Sequence, residues 1–395
     1  MLFKAISNQE AIKKNLISQS ILLFPSETIE FNGGGGNYHF ADIFGKYHKA
    51  FHPYTHKTDD YVVNVIPNGY CFCNNEMVFC KNQEILTQQT RYLTHPLCLD
   101  TNPTNWVIRQ AKKRVIFYKR LVAKMKLLFS KKIHGNVALL TRQDIQNCYG
   151  HLIVEVMAGY YQIQAFAKLT HTKIDYYILP TKLPFQKDLI KLLKIDPHKI
   201  IPAESKSAIQ ATNLIIPTLT SEYTTTEYRT YIKPVTCMMP RFIRNLYSDF
   251  IKTTTPTRKI YLKRPEQSNR NIINAKEVEK IFAEFGFEIV LSDILSLEEE
   301  IKLFSETKCL VSMHGSGLNN VIFMQEKTFV FEIFSQYYHD RTPQIIAFIK
   351  NIHYSYMVAE THDTSVDPQQ ENAYIRPNQL RLALKILNDK MQKTL

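Results

Sequence analysis

Glycine is scarce in this chain, at 12 of 395 residues, and tryptophan occurs once. That excludes collagen-like repeats and glycine-rich low-complexity sequence. No apolar run reaches the roughly 18 residues that a membrane-spanning helix needs. Glu10, Lys13 and Lys14 interrupt the opening stretch where a secretory signal would keep an apolar core, so a cytoplasmic protein is expected. Seven cysteines, an odd number scattered from Cys71 to Cys309, do not make a disulfide framework. Cys71, Cys73, Cys80 and Cys98 also miss zinc-ribbon spacing, and free thiols without a metal site are expected. The four glycines Gly33 to Gly36 lack the Lys-Ser/Thr pair of a phosphate-binding P-loop.

Negative charge is missing from one region. The chain carries 49 Lys and Arg against 36 Asp and Glu, a net charge of +13, yet residues 101–143 hold 11 basic residues and no acid. The other 352 residues are nearly balanced, 38 basic to 36 acidic. A uniformly basic nucleic-acid coat is disfavoured, and no nucleic-acid-binding motif occurs. A local anionic partner surface fits better. Phe117, Leu121, Met125 and Leu128 can form one apolar helix face, set among Lys112, Lys113, Arg114, Lys119, Arg120, Lys124, Lys126, Lys131 and Lys132. A helix over 112–132 is expected, lying either at an anionic membrane on the inner face of the plasma membrane or against the protein with its basic face in water.

Apolar residues make up 45% of the chain, enough for sizeable cores in a length that suggests two or three domains. In the C-terminal half, strand-like runs at 259–264, 287–291, 309–313 and 328–334 alternate with helical patterns. Val278, Ile281, Phe282 and Phe285 recur at helical spacing, Asn274 with Glu277 and Ser296 with Glu299 resemble capping boxes, and Gly286 stands where a helix C-cap belongs. Such alternation predicts a parallel, doubly wound sheet. Similar grammar from Val137 to Pro202 predicts a second α/β lobe.

Three groups could carry chemistry. The run from Val311 to Asn320, containing His314-Gly315-Ser316-Gly317-Leu318-Asn319, follows a buried strand and opens a helix, where ligands sit in open α/β folds. His314 could donate to a leaving oxygen, or the run could be a tight turn with a capping histidine. Arg264 and Arg270, with Asn274, occupy the preceding strand-to-helix loop and suit phosphate oxygens, although loop arginines are often merely solvated. His151 and Glu155 stand four apart on one helix face and could form a general base, a surface pair, or two ligands of a metal site whose third ligand no motif supplies.

The run Tyr261 to Asn274, then Val311 to Asn320, then Phe329 to Ile333 resembles the core motifs of glycosyltransferase family 61, and Asn147-Cys-Tyr-Gly-His151 with Glu155 resembles its upstream segment. Ser316 replaces the usual alanine of the His-Gly-Ala-Gly-Leu motif, and Glu332 matches the acidic strand residue. The resemblance implies two Rossmann-like lobes of the GT-B type, an inverting transfer, and a nucleotide-sugar donor, first among them a UDP-sugar, held by the C-terminal lobe. It implies donor contacts from Arg264, Arg270, Asn274, His314 to Asn319 and Glu332, with His151 or Glu155 as the base.

The expected organisation is a β and loop-rich addition over 1–100, an acceptor lobe over 101–217, a linker over 218–240, a donor lobe over 241–360, and a polar loop and packing helix over 361–395. The expected reaction moves a sugar to a hydroxyl of a glycan, polysaccharide or lipid-linked acceptor in surface polysaccharide synthesis, with no metal and no other cofactor. A glycan- or nucleotide-binding protein without turnover is the alternative.

Overall fold

A computed structural model describes residues 3–31, 41–46, 51, 53–74, 77–86, 106–141, 148–205, 207–218, 224–225, 231–232, 238–252, 254–265, 269–361 and 370–393. The chain is α/β and divides into two units. Unit 1 comprises Met1–Ser26 and Asp59–Thr220, and unit 2 comprises Glu27–Thr58 and Ser221–Leu395.

Unit 1 is built on one sheet of ten strands: β1 (Ala5–Ile6), β2 (Gln19–Phe24), β3 (Tyr61–Pro67), β4 (Tyr70–Phe72), β5 (Val78–Phe79), β6 (Ile85–Leu86), β7 (Lys131–Leu139), β8 (Tyr176–Leu179), β9 (Ile200–Pro202) and β10 (Ala208–Pro217). The last four are parallel, in the order β10-β7-β8-β9. Three helices accompany them: α2 (Trp106–Leu128) before β7, α3 (Met157–Thr170) between β7 and β8, and α4 (Pro184–Leu192) between β8 and β9, while α1 (Asn8–Lys13) follows β1. On its other side β10 pairs antiparallel with β3 and β4. Val137, Leu139, Ile178, Leu214 and Ile216 share one core with Ile66 and Cys71, which explains why β7 and β10 end in the apolar runs Val137–Leu139 and Leu214–Ile216.

Residues 1–100 are therefore not a separate addition. Their strands complete the sheet of unit 1, and the stretch 27–58 belongs to unit 2, where Phe31 packs on Phe348 with ring centroids 4.7 Å apart and Phe51 on Tyr356 at 4.4 Å. The basic helix is also displaced from its expected span, beginning at Trp106 and not at Lys112. It ends at Leu128, and Lys131 and Lys132 pair with Ile209 and Gln210 as the first residues of β7, because a ladder to β10 satisfies their backbone where a longer helix would not. Most of 218–240, Gly33 to Gly36, Asn147, Cys98 and Cys237 lie outside the described residues, as do the side chains of Lys112 and Lys113. No helix among the described residues is long and apolar enough to cross a membrane.

Unit 2 contains a five-stranded parallel sheet of β11 (Arg258–Lys263), β12 (Glu288–Leu291), β13 (Thr307–Met313), β14 (Phe329–Phe334) and β15 (His353–Val358), in the order β12-β11-β13-β14-β15. Its helices are α5 (Met238–Leu246), α6 (Ala275–Glu284), α7 (Leu297–Ser305), α8 (Thr342–Ile349) and α9 (Pro377–Lys393). Val278, Ile281 and Phe282 of α6 are buried at the spacing the sequence displays, with Phe282 stacked on Tyr261 at 4.0 Å. Gly286 (φ +75°) ends α6 in the left-handed region, and the Phe287 and Gly286 N–H groups bond back to Phe282 and Ala283, a Schellman closure. The Ser296 and Glu299 capping box forms. Helix α9 buries Leu380, Ala383, Leu384 and Leu387 in the same core as α6.

Candidate active site

In a parallel sheet of order 2-1-3-4-5 the chain leaves β11 toward one side and β13 toward the other, so their carboxyl ends open a crevice at the point of reversal. The residues emerging there are Arg264 and His314, each next to its strand. A cavity of about 510 Å³ lies beside them, lined among others by Lys263, Arg264, Asn271, Asn274, Lys276 and Met313.

The His314 backbone carbonyl is the meeting point. Arg264 Nη1 and Arg270 Nε both donate to it at 3.2 Å, and Arg264 Nε donates to the Asn269 carbonyl at 3.0 Å. The approach to the next position is close: a Cβ on Gly315 would stand 1.7 Å from Arg264 Nη1, so a larger residue there would push that guanidinium aside. Arg270 reaches this place from a left-handed backbone (φ +60°), and its guanidinium lies 4.9 Å over the Tyr338 ring. Burial and the neighbouring Arg270 pull Arg264 down to about 10, still cationic at neutral pH.

Beneath the loop, His314 Nδ1 is 2.5 Å from Glu332 Oε1, and the Tyr354 hydroxyl donates to Glu332 Oε2. Glu332 is wholly buried in the otherwise apolar strand β14, and the His314 ring stacks on Phe334 with centroids 5.1 Å apart. Burial drives the Glu332 carboxyl well above its usual range. Burial, then the charges of Arg270 and Arg264, drives His314 well below its own. Both directions favour a neutral pair, in which the Glu332 acid donates to Nδ1 and Nε2 carries the imidazole proton. In that state the His314 Nε2–H can donate a hydrogen bond.

Ser316, Gly317, Leu318 and Asn319 begin a 3₁₀ helix (Ser316–Phe323), where the sequence pattern implies a short ordinary helix. Asn274 does not close a reciprocal capping box. Its amide donates to Glu277 and to the Ile375 carbonyl, and its oxygen accepts from the Ile375 N–H, tying the start of α6 to the C-terminal segment. In unit 1, His151 Nδ1 lies 2.9 Å from Glu155 Oε1. Both are buried where the turn Tyr149–His151 passes into the π-helical turn Leu152–Val156 that leads into α3. Such turns concentrate at functional positions.

Sequence reasoning missed Tyr354 and Tyr338. Tyr354 pairs in register with Val330 on β14, and that register was the signal. Tyr338 belongs to the aromatic cluster just past β14, whose partner Arg270 lies on another loop.

Residues 149–331 match the family model described as Glycosyltransferase 61. This segment is a glycosyltransferase family 61 domain. It takes in His151, Glu155, Arg264, Arg270 and His314 and stops one residue short of Glu332. Glycosyl transfer is the enzyme class of the family 61 domain, with a sugar donor and a glycan acceptor as its substrates in general. No curated protein matches the chain. Among solved structures it is similar to a mutant flavo di-iron protein from Thermotoga maritima, at 11% identity over 62% of this chain and 50% of that one, with a TM-score of 0.26. It is also similar to a metal-soaked flavodiiron core from Synechocystis sp., at 9% identity over 84% and 64%, with a TM-score of 0.23. The chain thus spans half the length of the first and 64% of the second, and at such scores neither likeness bears on function.

Proposed function

We propose that the protein transfers a sugar from a nucleotide-sugar, first among them a UDP-sugar, to a hydroxyl of a glycan or lipid-linked acceptor, with inversion at the anomeric carbon and as part of polysaccharide synthesis. The two units act as the lobes of a GT-B enzyme. The observation that carries this reading is the convergence of two guanidiniums and a buried histidine backed by a carboxyl at the reversal point of the unit 2 sheet.

In the proposed reaction the acceptor oxygen attacks the anomeric carbon and gives its proton to a base. The bond to the diphosphate breaks, and its electron pair stays on the leaving oxygen. That charge is met by Arg264 and Arg270 and by the proton on His314 Nε2, groups already held in place before reaction, which is where electrostatic stabilisation is most effective. Charge on the leaving group is thus answered by side chains, and turnover in EDTA is expected. His151, held by Glu155, is our assignment for the base; an imidazole oriented by a carboxylate suits that role.

The test is thermal-shift binding of UDP, GDP, CDP and CMP in EDTA with wild type and Arg270→Ala. A ligand at about 100 times its Kd should add about 2.7 kcal/mol of stability. One nucleotide stabilising the wild type and not the variant is the expected result. Equal stabilisation of both proteins would remove Arg270 from the donor site, and no stabilisation by any of the four would defeat the donor assignment.

A further inference from the structure

Helix α2 presents apolar residues in two directions. Ala123 (5% exposed) and Leu127 (1%) pack with Phe3, Phe72 and Phe79 in a core of unit 1. Phe117 (60%), Leu121, Met125 and Leu128 (68%) are all exposed. At about 100° per residue these four fall in a sector of about 80°, centred roughly 140° around the helix from the buried pair. The stripe evident in the sequence is therefore not the core-facing one. Just past the helix, Phe129 is 83% exposed, beside the exposed Lys131 and Lys132.

A contiguous exposed apolar patch marks an interaction surface, and charge identifies what covers this one. Helix α2 carries eight Lys and Arg and no acid, and acids are absent throughout residues 101–143. The partner must offer apolar depth and negative charge together, over a helix about 35 Å long at 1.5 Å per residue. A bilayer containing anionic lipid offers both on one continuous surface, and lysine stems can lie on the apolar zone while their ammonium groups reach the headgroups.

We propose that α2 is a membrane-docking helix lying in the interfacial plane of an anionic bilayer, with Phe117, Leu121, Met125, Leu128 and Phe129 inserted among the acyl chains. The inference goes beyond the catalytic reading and stands without it.

The experiment is flotation of the full chain with vesicles of phosphatidylcholine alone or mixed with phosphatidylglycerol. Wild type is compared with Phe117→Ser/Leu128→Ser and with Lys119→Gln/Lys124→Gln. Wild type should float only with the anionic vesicles and release as salt rises. Each double variant should lose about tenfold or more in retention, with circular dichroism and the nucleotide thermal shift unchanged. Absence of flotation, or unchanged retention of Phe117→Ser/Leu128→Ser, would each overturn the proposal. Binding to polyphosphate or DNA in place of vesicles would make the surface a polyanion site, and overturn it too.

Discussion

Each unit holds a buried histidine joined through Nδ1 to a glutamate, and the two pairs are built differently. His151 and Glu155 are four residues apart on one helical run, so local geometry alone brings them to 2.9 Å. His314 and Glu332 are 18 residues apart, and it takes the pairing of β13 with β14 to bring them to 2.5 Å. The second pair also carries a hydroxyl behind the carboxyl and two guanidiniums on the histidine carbonyl. A helix can present a basic imidazole from sequence spacing. Setting an imidazole as a donor beside two positive charges requires a sheet that buries its carboxylic partner.

The largest effect that would sharpen this contrast is His314→Ala, which should lower kcat by about 10² to 10⁴-fold in a sugar-transfer assay, the range for a general acid or base. His151→Ala should lower kcat by about 10²-fold while leaving the nucleotide thermal shift at its wild-type size. If it abolished nucleotide binding instead, the division of labour between the two pairs would be wrong. Arg264→Ala and Arg270→Ala should each weaken nucleotide binding by about 10 to 100-fold, the worth of a charge-assisted hydrogen bond, read by calorimetric titration. Gly315→Ala should weaken it by roughly tenfold with little change in melting temperature, because the new methyl displaces a guanidinium and no backbone.

Glu332→Gln gives the smallest effect and tests the charge state directly. A carboxyl whose folded pKa is raised contributes stability that is complete below its ordinary value of 4.5 and is lost as pH rises toward the folded value. Glutamine mimics the protonated form and cannot ionise. The melting temperature of Glu332→Gln relative to wild type should therefore rise as pH climbs from 4.5. His314 has the opposite sign, losing stability as pH falls below its ordinary 6.5, and keeps that dependence in the variant. A relative melting temperature that falls with rising pH would mean an ionised Glu332 paired with an imidazolium.

Much of unit 2 was legible in the sequence because its signals are local. The apolar spacing of α6, the Ser296 capping box and Gly286 as a helix stop all depend on residues within a few positions of one another. The Asn274 assignment failed for the same reason, since its partner Ile375 is 101 residues away. Periodicity located the stripe from Phe117 to Leu128 but has no sign that separates a face turned inward from one turned outward. His314, Arg264 and Arg270 were each identifiable as residues. Their convergence on one carbonyl follows from strand order, which no short window contains.

The stretch 27–58 imposes an order on how the protein is made. Both ends are fastened locally: the Ser26 N–H bonds to Asp60 at 2.7 Å in unit 1, and the Glu27 N–H to Thr58 at 2.8 Å in unit 2. Everything unit 1 needs has been synthesised by Thr220, but Phe31 and Phe51 must wait for Phe348, Phe334 and Tyr356. At roughly 5–20 residues per second on the ribosome, that leaves these aromatics without their ring partners for tens of seconds. The excursion thus sets the moment at which unit 2 can first become whole.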